Sequence, residues 1–371
     1  MTSDVLRKCS ETIAREGLDA MVAASPENVG YLAGYMVPSQ TIPIRKRQFF
    51  SVVTGDGQAV FIVVGVEYNE ARTRSRIDHV RAYNEFTEDA SSVLADCLRE
   101  VGLIKGRIGI ELDFLPARTY TQLMTELPEA SFVDAEKIFD HMRMIKTPHE
   151  IDRLRLCAQM VDQTHREVYA EVQAGITELD LAARFMDSLL KKGVDYLDKI
   201  VIGSGERSTL ANCPPTQRVL RKGDVMRVDV FANLEGYMSD IARTVTVGKA
   251  TSEQLEVWAK LVESQNLLLE IIRPGVRTGD IWQQFIDHFQ RMGLNPAINF
   301  VGHGIGLTLH EEPFISRFHD YVIEENMVLA IEPVYFTETM GFHLEDEILI
   351  RADGCELLSD GRGPLIELDD S

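Results

Sequence analysis

The segment that most restricts the fold is MRVDVFANLEGYMSDIARTVTVG, residues 226–248, in which two runs of β-forming residues flank a turn at 233–236. Asparagine and glycine are typical of hairpin turns. A symmetric turn there predicts that Asp229 faces Asp240. Apolar residues occupy both faces of this hairpin, so both faces should be buried. Two carboxylates with Cβ atoms roughly 5 Å apart repel each other where solvation is poor. The pair therefore requires a cation between the side chains or a proton on one of them.

A second hairpin of the same kind follows in MVLAIEPVYFTETMGFHLEDEILI, residues 327–350, with its turn at 337–340. A symmetric turn there predicts that Glu332 faces Glu345. One acidic pair alone is compatible with a carboxyl dyad that shares a proton. Two such pairs in one half of the chain favour bound cations.

A histidine lies between glycines in NFVGHGIGLTLHEEPFI, residues 299–315. A histidine beside glycines is most often structural, but the nearby paired carboxylates favour a ligand role for His303. One imidazole with four carboxylates suits Mn²⁺, Fe²⁺, Co²⁺ or Zn²⁺. Four carboxylates exceed the needs of one ion, so we expect two ions roughly 3.5 to 4 Å apart that activate a water molecule near neutral pH. The predicted ligands are Asp229, Asp240, His303, Glu332 and Glu345.

The composition is that of a globular chain. Of 371 residues, 45% are hydrophobic, and the formal net charge is −20. This charge opposes binding to nucleic acid and to anionic membranes. The longest apolar stretch, QAVFIVVGVEY, is too short to span a bilayer, and the first residues lack the apolar core of a signal peptide. We therefore expect a cytoplasmic protein without nucleic-acid or membrane partners.

The chain is expected to form two domains. Residues 1–143 alternate between predicted helices and strands, and their acids and histidines form no clear catalytic cluster. A new unit begins near residue 144, because Thr147 and Glu150 form a capping box with Pro148 at the first helical position. The second domain is then 144–371.

The five predicted ligands, in their order and spacing, resemble the metal site of the M24 metallopeptidase family, whose catalytic domain has the pita-bread fold. The segments MIKTPHEIDRLR, VIGSGERS, GHGIGLTLHEEP and HLEDEILI resemble the branch that contains Xaa-Pro dipeptidase, aminopeptidase P and creatinase. NVGYLAGY, residues 28–35, is similar to the N-terminal domain of that branch. The resemblance implies an α+β fold in which a creatinase-type α/β N-terminal domain precedes a C-terminal pita-bread domain.

The resemblance also implies how the ions are held. In the family, the equivalents of Asp229 and Asp240 hold one ion, and those of His303 and Glu332 hold the other. The equivalents of Asp240 and Glu345 bridge both ions. The implied cofactors are two divalent ions per chain, with manganese expected first and cobalt, zinc or iron as alternatives.

Catalytic and substrate-binding roles follow from the same resemblance. Glu332 is implied to handle the proton of the attacking water, and His310 to stabilise the tetrahedral oxyanion. Three positions depart from the peptidase pattern, since Asn212 and Asn299 stand where histidines are common and His343 where an arginine is common. These three are the predicted substrate-binding residues. The implied substrate is a small molecule or short peptide, and the implied assembly is a homodimer.

The departures leave the reaction open among several classes. The first hypothesis is a dinuclear metal hydrolase that cleaves the C–N bond of an Xaa-Pro or related peptide. The second is a creatinase-like hydrolase of a small non-peptide amide or amidine. A lyase and a catalytically silent binding module on the same fold are further alternatives. Retention of all five predicted ligands and of His310 disfavours the silent module.

Overall fold

The computed structural model describes residues 4–41 and 47–369. The chain divides into two compact units, Met1–Arg143 and Met144–Ser371. The predicted metal ligands all belong to the second unit.

The N-terminal unit is built on a mixed six-stranded sheet. Its strands are β1 Ala20–Ala23, β2 Phe50–Thr54, β3 Ala59–Val64, β4 Val80–Tyr83, β5 Arg107–Ile110 and β6 Ser131–Asp134. They lie in the order β4-β3-β2-β1-β5-β6. The helices are α1 Asp4–Arg15, α2 Pro26–Ala33, α3 Pro38–Thr41, α4 Tyr68–Arg74, α5 Ala90–Glu100, α6 Ala117–Glu126 and α7 Glu136–Met144. This is the alternation of helices and strands that the sequence predicts.

The C-terminal unit combines four long helices with small, largely antiparallel sheets. Its helices are α8 Pro148–Glu171, α9 Glu178–Lys192, α10 Ser252–Ile271 and α11 Thr278–Arg291. Its strands are β7 Tyr196–Ser204, β8 Val225–Leu234, β9 Tyr237–Val247, β10 Gly302–Gly304, β11 Val328–Ile331, β12 Val334–Phe336, β13 Gly341–His343, β14 Asp346–Arg351, β15 Gly354–Leu357 and β16 Ile366–Leu368. Within 4–41 and 47–369, no helix is both long and apolar enough to cross a membrane.

Polar caps fix where the long helices of this unit begin. The predicted capping box of α8 is present, since Glu150 accepts from the backbone N–H of Thr147 at 2.8 Å while the Thr147 hydroxyl accepts from the Glu150 N–H. The same reciprocal arrangement starts α9 at Thr177 and α10 at Thr251. Each box satisfies two N–H groups that the first turn of a helix leaves without partners.

Two sheets carry the two acidic hairpins, in the orders β16-β9-β8-β7 and β10-β11-β14-β15. Strands β8 and β9 are buried along their whole length, as predicted from their apolar faces. In the second sheet, Phe285 and Phe289 of α11 share one apolar core with Leu329 and Ile348. The hairpins are therefore held on a rigid, buried framework.

The predicted register of the first hairpin is wrong. Asp229 lies opposite Ala242, and Asp240 lies opposite Phe231. The reason is the turn, which uses only Glu235 and Gly236, both with positive φ (52° and 91°), and so closes one residue later than predicted. A shift of two in the pairing keeps each side chain on its face. Asp229 and Asp240 therefore form a diagonal pair on one face rather than a directly opposed pair.

The predicted register of the second hairpin is confirmed on both sides of the acidic pair. Val334 pairs with His343 toward the turn, and Ile331 pairs with Asp346 away from it. This common register sets Glu332 across from Glu345, at the junction between the two ladders.

Candidate metal centre

The five predicted ligands converge from three strands and from the ends of two others. Asp229 lies in β8, Asp240 in β9 and His303 in β10, whereas Glu332 follows β11 and Glu345 precedes β14. All five are buried, with exposures between 0% and 7%. The structure thus brings together side chains that lie more than a hundred residues apart in the sequence.

His303 lies at one side of this acidic cluster. Its Nε2 atom is 3.5 Å from Glu332 Oε1, 3.7 Å from Asp240 Oδ2 and 3.9 Å from Glu345 Oε1. Its Nδ1 atom lies 2.9 Å from the carbonyl oxygen of Gly304. A carbonyl only accepts, so Nδ1 carries the proton and the Nε2 lone pair faces the carboxylates. This is the tautomer that a ligand histidine requires.

His343 lies at another side of the cluster, enclosed and only 4% exposed. Its Nε2 atom is 3.3 Å from Glu332 Oε2 and 3.3 Å from Glu345 Oε2. Its Nδ1 atom is 4.0 Å from Asp229 Oδ2. The residue predicted to bind substrate therefore contacts the candidate metal ligands directly.

The geometry and the donor atoms fit divalent cations. Three groups each offer ligand atoms within 4.8 Å of one another, namely Asp240 with His303 and His310, Asp229 with His343 and Glu345, and His303 with Glu332 and Glu345. Among the described residues, several buried atoms of this cluster have no hydrogen-bond partner: Asp229 Oδ1, Asp240 Oδ1, His303 Nε2, His343 Nε2 and Glu345 Oε2. Each such atom costs on the order of 1–3 kcal/mol if nothing binds it. Cations coordinated by the oxygens and by His303 would remove this penalty.

Electrostatics support the same conclusion. Burial raises the pKa of Asp229 to about 6 and, together with neighbouring carboxylates, raises the pKa values of Asp240 and Glu345 well above their usual range. Burial also raises the pKa of Glu332 well above its ordinary value, and Asp229 adds to the shift. Burial lowers the pKa of His303 to about 3, so its imidazole is neutral. Carboxylates packed in this way ionise readily only beside cations.

His310 lies on the exposed side of the cluster. Its ring centroid is 4.0 Å from that of His303, and Phe300 and Phe314 present ring edges to it at 5.8 and 5.9 Å. The residue is exposed to solvent and also contacts the aromatic rings of Phe300 and Phe314. This position suits a group that meets a substrate arriving from solvent.

The other two predicted substrate-binding residues, Asn212 and Asn299, are exposed. Asn299 precedes Phe300, whose ring lies 6.0 Å from His303. Asn212 follows Ala211, whose carbonyl oxygen accepts a hydrogen bond from a buried arginine of the site. Both lie in segments that border the cluster, and their substrate-binding role stays a prediction.

Two residues that contact the cluster are absent from the sequence prediction. Arg227 is 2% exposed, and its Nη1 lies 3.3 Å from His343 Nδ1. Glu347 Oε1 accepts from the backbone N–H of Asp240 at 2.9 Å, and burial raises the pKa of this carboxyl to about 8. Strand alternation could have identified both residues. Each lies two positions from a predicted ligand, and side chains two positions apart in a strand lie on the same face.

Comparison with known proteins extends the likeness to the whole chain. Residues 152–352 match the metallopeptidase family M24, and residues 6–145 match the creatinase/prolidase N-terminal domain. The Bacillus subtilis uncharacterized peptidase YqhT is 27% identical over 369 residues, covering 98% of this chain and 99% of that protein. The Xaa-Pro dipeptidase of Pyrococcus furiosus is also 27% identical over 369 residues, covering 95% and 97% respectively.

A solved structure shows the same fold. The X-Pro aminopeptidase from Thermotoga maritima superposes with a TM-score of 0.85 at 24% identity, over 98% of this chain and 99% of that chain. The predicted fold class is thereby confirmed, with a creatinase-type N-terminal domain followed by an α+β pita-bread domain. The M24 match spans more than half of the chain and includes every predicted ligand. The chain belongs to the metallopeptidase family M24 and is a hydrolase of that family.

Proposed function

We propose that this hydrolase uses two divalent ions, manganese in the first instance, to cleave the C–N bond of an Xaa-Pro dipeptide or related short peptide. The observation that carries the proposal is the convergence of buried, unpartnered ligand atoms from Asp229, Asp240, His303 and Glu345. Four carboxylates and one neutral imidazole form a donor set that matches Mn²⁺, Co²⁺, Zn²⁺ or Fe²⁺. The prolidase-type relatives support the choice of substrate.

In the proposed assignment, Asp229 and Asp240 would hold one ion and His303 and Glu332 the other, and Asp240 and Glu345 would contribute to both. When bound, such ions supply Lewis acidity and lower the pKa of a water molecule toward neutrality. Glu332 is the proposed acceptor of the proton that this water loses. Glu332 places one oxygen 3.5 Å from His303 and the other 3.3 Å from His343. The carboxylates therefore extend across the space between the two histidines, which supports two ions rather than one.

His310 is the proposed donor to the oxygen that becomes negative as the peptide carbonyl is attacked. His310 is exposed, and it lies beside His303 and the ring of Phe300. It could therefore contact a substrate while His303 binds the ion. Phe300 and Phe314 would exclude water from the reacting carbonyl, which strengthens such a hydrogen bond.

A second candidate is hydrolysis of a compact amide or amidine that lacks a free carboxylate. The observation in its favour is the surroundings of His343, which is enclosed by Glu332, Glu345 and Arg227. The guanidinium of Arg227 donates to the carbonyl oxygens of Leu210 and Ala211, both at 2.6 Å. A substrate carboxylate beside His343 would meet a neutral imidazole and an arginine that already donates to the backbone. Neither group would bind the carboxylate as a free arginine does.

A substrate panel distinguishes the two candidates. The metal-free protein and the protein reconstituted with Mn²⁺ would be assayed on Xaa-Pro dipeptides, longer Xaa-Pro peptides and small cyclic or guanidino amides. We expect Mn²⁺-dependent hydrolysis and calorimetric binding of two ions per chain. Strongest turnover of Xaa-Pro peptides would support the first candidate, and strongest turnover of substrates without a free carboxylate would support the second. Rates of about 1 to 10³ per second on Xaa-Pro dipeptides would identify a conventional proline dipeptidase. Absence of Mn²⁺ binding would refute the dinuclear hydrolase.

The proposed assembly is a homodimer, and the proposed location is the cytoplasm. Both stay predictions from the sequence. Sedimentation of the Mn²⁺-loaded protein at micromolar concentration measures the assembly, and a species with the 41.7 kDa mass of one chain would contradict the dimer.

A further inference from the structure

The two histidines of the cluster face opposite kinds of partner through Nδ1. His303 Nδ1 lies 2.9 Å from the carbonyl oxygen of Gly304, which only accepts. His343 Nδ1 lies 3.3 Å from Nη1 of Arg227, which only donates. The position of the proton on each imidazole is therefore set by a neighbour outside the acidic cluster.

The chemistry of arginine fixes the tautomer of His343. A guanidinium has no lone pair to offer and stays charged in proteins, so its N–H groups require an unprotonated Nδ1. The proton of the neutral ring then lies on Nε2. A doubly protonated imidazolium would set an N–H group of the ring against one of Arg227, with like charges in contact.

The guanidinium is held in this orientation by the backbone. Arg227 Nε donates to the carbonyl oxygen of Ser208 at 3.4 Å, and Nη2 donates to those of Leu210 and Ala211, both at 2.6 Å. Turning the guanidinium away from His343 would break its hydrogen bonds to three carbonyl oxygens. Arg227 therefore presents Nη1 to the imidazole as a fixed donor.

We propose that His343 presents Nε2–H to Glu332 and Glu345 and donates to them once ions are bound, that it is not a metal ligand, and that Arg227 is the positioning residue that fixes this tautomer. In the structure Nε2 lies 3.3 Å from one oxygen of each glutamate but has no hydrogen-bond partner. Although Nε2 lies beside oxygens that could share an ion with it, a protonated nitrogen has no lone pair for a metal. Of the two buried histidines of the cluster, His303 would then supply a nitrogen ligand and His343 would not, and Asp229 would share its ion with oxygen atoms. The role of His343 in the reaction rests on the proposed function. The position of the proton on His343 does not depend on whether a metal binds.

The arrangement orients the two glutamates. Each of Glu332 and Glu345 turns Oε1 toward His303, at 3.5 and 3.9 Å, and Oε2 toward His343, at 3.3 Å in both cases. A donor shared between the two Oε2 atoms would keep both carboxylate planes across the space between the histidines. This would leave each Oε1 directed at the ion that His303 binds and fix the glutamate proposed to accept the proton.

Nitrogen NMR tests the proposal directly. The full chain, ¹⁵N-labelled at histidine, would be recorded metal-free and after loading with ¹¹³Cd²⁺, with H343Q and H303Q used for assignment. We expect His343 to show an unprotonated Nδ1 and a protonated Nε2 in both forms. His303 should show the reverse tautomer and, after loading, a ¹¹³Cd–¹⁵N coupling at Nε2 that is absent from His343.

A ¹¹³Cd coupling to His343, or a metal-free His343 with its proton on Nδ1, would overturn the proposal. Failure of the proposed function has a different signature, because then Cd²⁺ would not bind and no coupling would appear at His303. The tautomer of His343 in the metal-free chain would still decide the present inference.

A matched pair of substitutions tests the donor. The amide nitrogen of H343Q reaches the place of Nε2 and can still donate to the glutamates, whereas the shorter side chain of H343N reaches only the place of Nδ1. We expect calorimetry to show two Mn²⁺ ions bound by H343Q, with affinity at least about tenfold above that of H343N, within the range that partners of metal ligands contribute. Equal affinities in the two variants would count against the donor role.

The variant R227K tests whether Arg227 sets the tautomer of His343. A purely structural role of Arg227 would leave the His343 nitrogen resonances unchanged. Lysine keeps the charge but lacks the planar fork, so it cannot hold three carbonyls and the imidazole at once. We expect the Nδ1 and Nε2 resonances of His343 to shift toward a mixture of tautomers while those of His303 stay fixed. Unchanged His343 resonances in a folded R227K protein would remove Arg227 from the proposal.

Discussion

Glu332 is the residue on which the proposed chemistry depends most, because its two oxygens lie 3.5 Å from His303 and 3.3 Å from His343. Glu332→Gln keeps the size and shape of the side chain but removes its capacity to take a proton. We expect turnover of the Mn²⁺-loaded enzyme to fall by about 10² to 10⁴, the usual share of a general base. Steady-state kinetics measures the loss, and circular dichroism with a metal assay shows whether fold and ions remain. Turnover within tenfold of the parent would remove Glu332 from the proton step.

His310 tests the proposed oxyanion donor. His310→Ala removes one donor and leaves the acidic cluster in place, so we expect kcat to fall by about 10² to 10³ with little change in KM. A control exists on the same segment, where the ring centroid of His319 lies 5.2 Å from that of Phe314 and His319 contacts Glu312. His319→Ala should leave kcat nearly unchanged, and equal losses in both variants would indicate a general disturbance of the segment.

At the scale of elements, a buried ion pair fixes the segment that carries His310. Lys146 Nζ lies 3.2 Å from Glu311 Oε2, with side-chain exposures of 1% and 2%. The other oxygen of Glu311 accepts from the backbone N–H groups of Leu307 and Thr308. Lys146 directly precedes the capping box of α8, so the pair joins the start of that helix to the segment beside the metal centre.

Lys146→Met should destabilise the protein by about 3–5 kcal/mol, because it removes the ammonium beside a buried carboxylate. Denaturant unfolding measures the change, and the double variant with Glu311→Gln should recover part of it. Lys191→Met is the control, since that lysine and Asp187 are 74% and 64% exposed, and we expect a change within about 0.5 kcal/mol. Similar losses for the two lysines would contradict a special role for the buried pair.

At the scale of the whole molecule, the acidic cluster should make stability depend on pH and on metal together. Burial raises the pKa of Asp229 from 3.8 to about 6 and that of Glu347 from 4.5 to about 8. Between about pH 4 and 8 the metal-free folded state therefore binds more protons than the unfolded chain. The free energy of unfolding then falls as pH rises through this window.

Thermal unfolding with a chelator and with Mn²⁺, at pH 5, 6, 7 and 8, measures this coupling. Ions that bind the deprotonated cluster stabilise the folded state, so the difference in Tm between the two forms should widen as pH rises. Glu347→Gln should flatten the fall in the metal-free series, since it removes one carboxyl that must ionise in the folded state. A difference in Tm that stays constant across the series would contradict the proposed site.

Strand alternation, which can be read from the sequence, predicts which acids of the site share a face. Side chains two residues apart share a face, so the acids of each hairpin could be assigned to one side before any fold was known. The capping box of α8 and the register of the second hairpin follow from equally local rules. The ligand prediction rests on the same alternation for the four acids and on the glycines around His303, and the structure brings these five side chains into one buried cluster.

The register of the first hairpin, the enclosure of His343 and its contact with Arg227 become visible in the folded protein alone. The register depends on two positive φ angles, at Glu235 and Gly236. Glutamate rarely adopts a positive φ, so its presence in the sequence does not predict this turn. The contact between Arg227 and His343 joins strands 116 residues apart, which no local pattern specifies. Local backbone preferences act over a few residues, whereas the proton on an imidazole is set by whichever group the packed sheets bring against it.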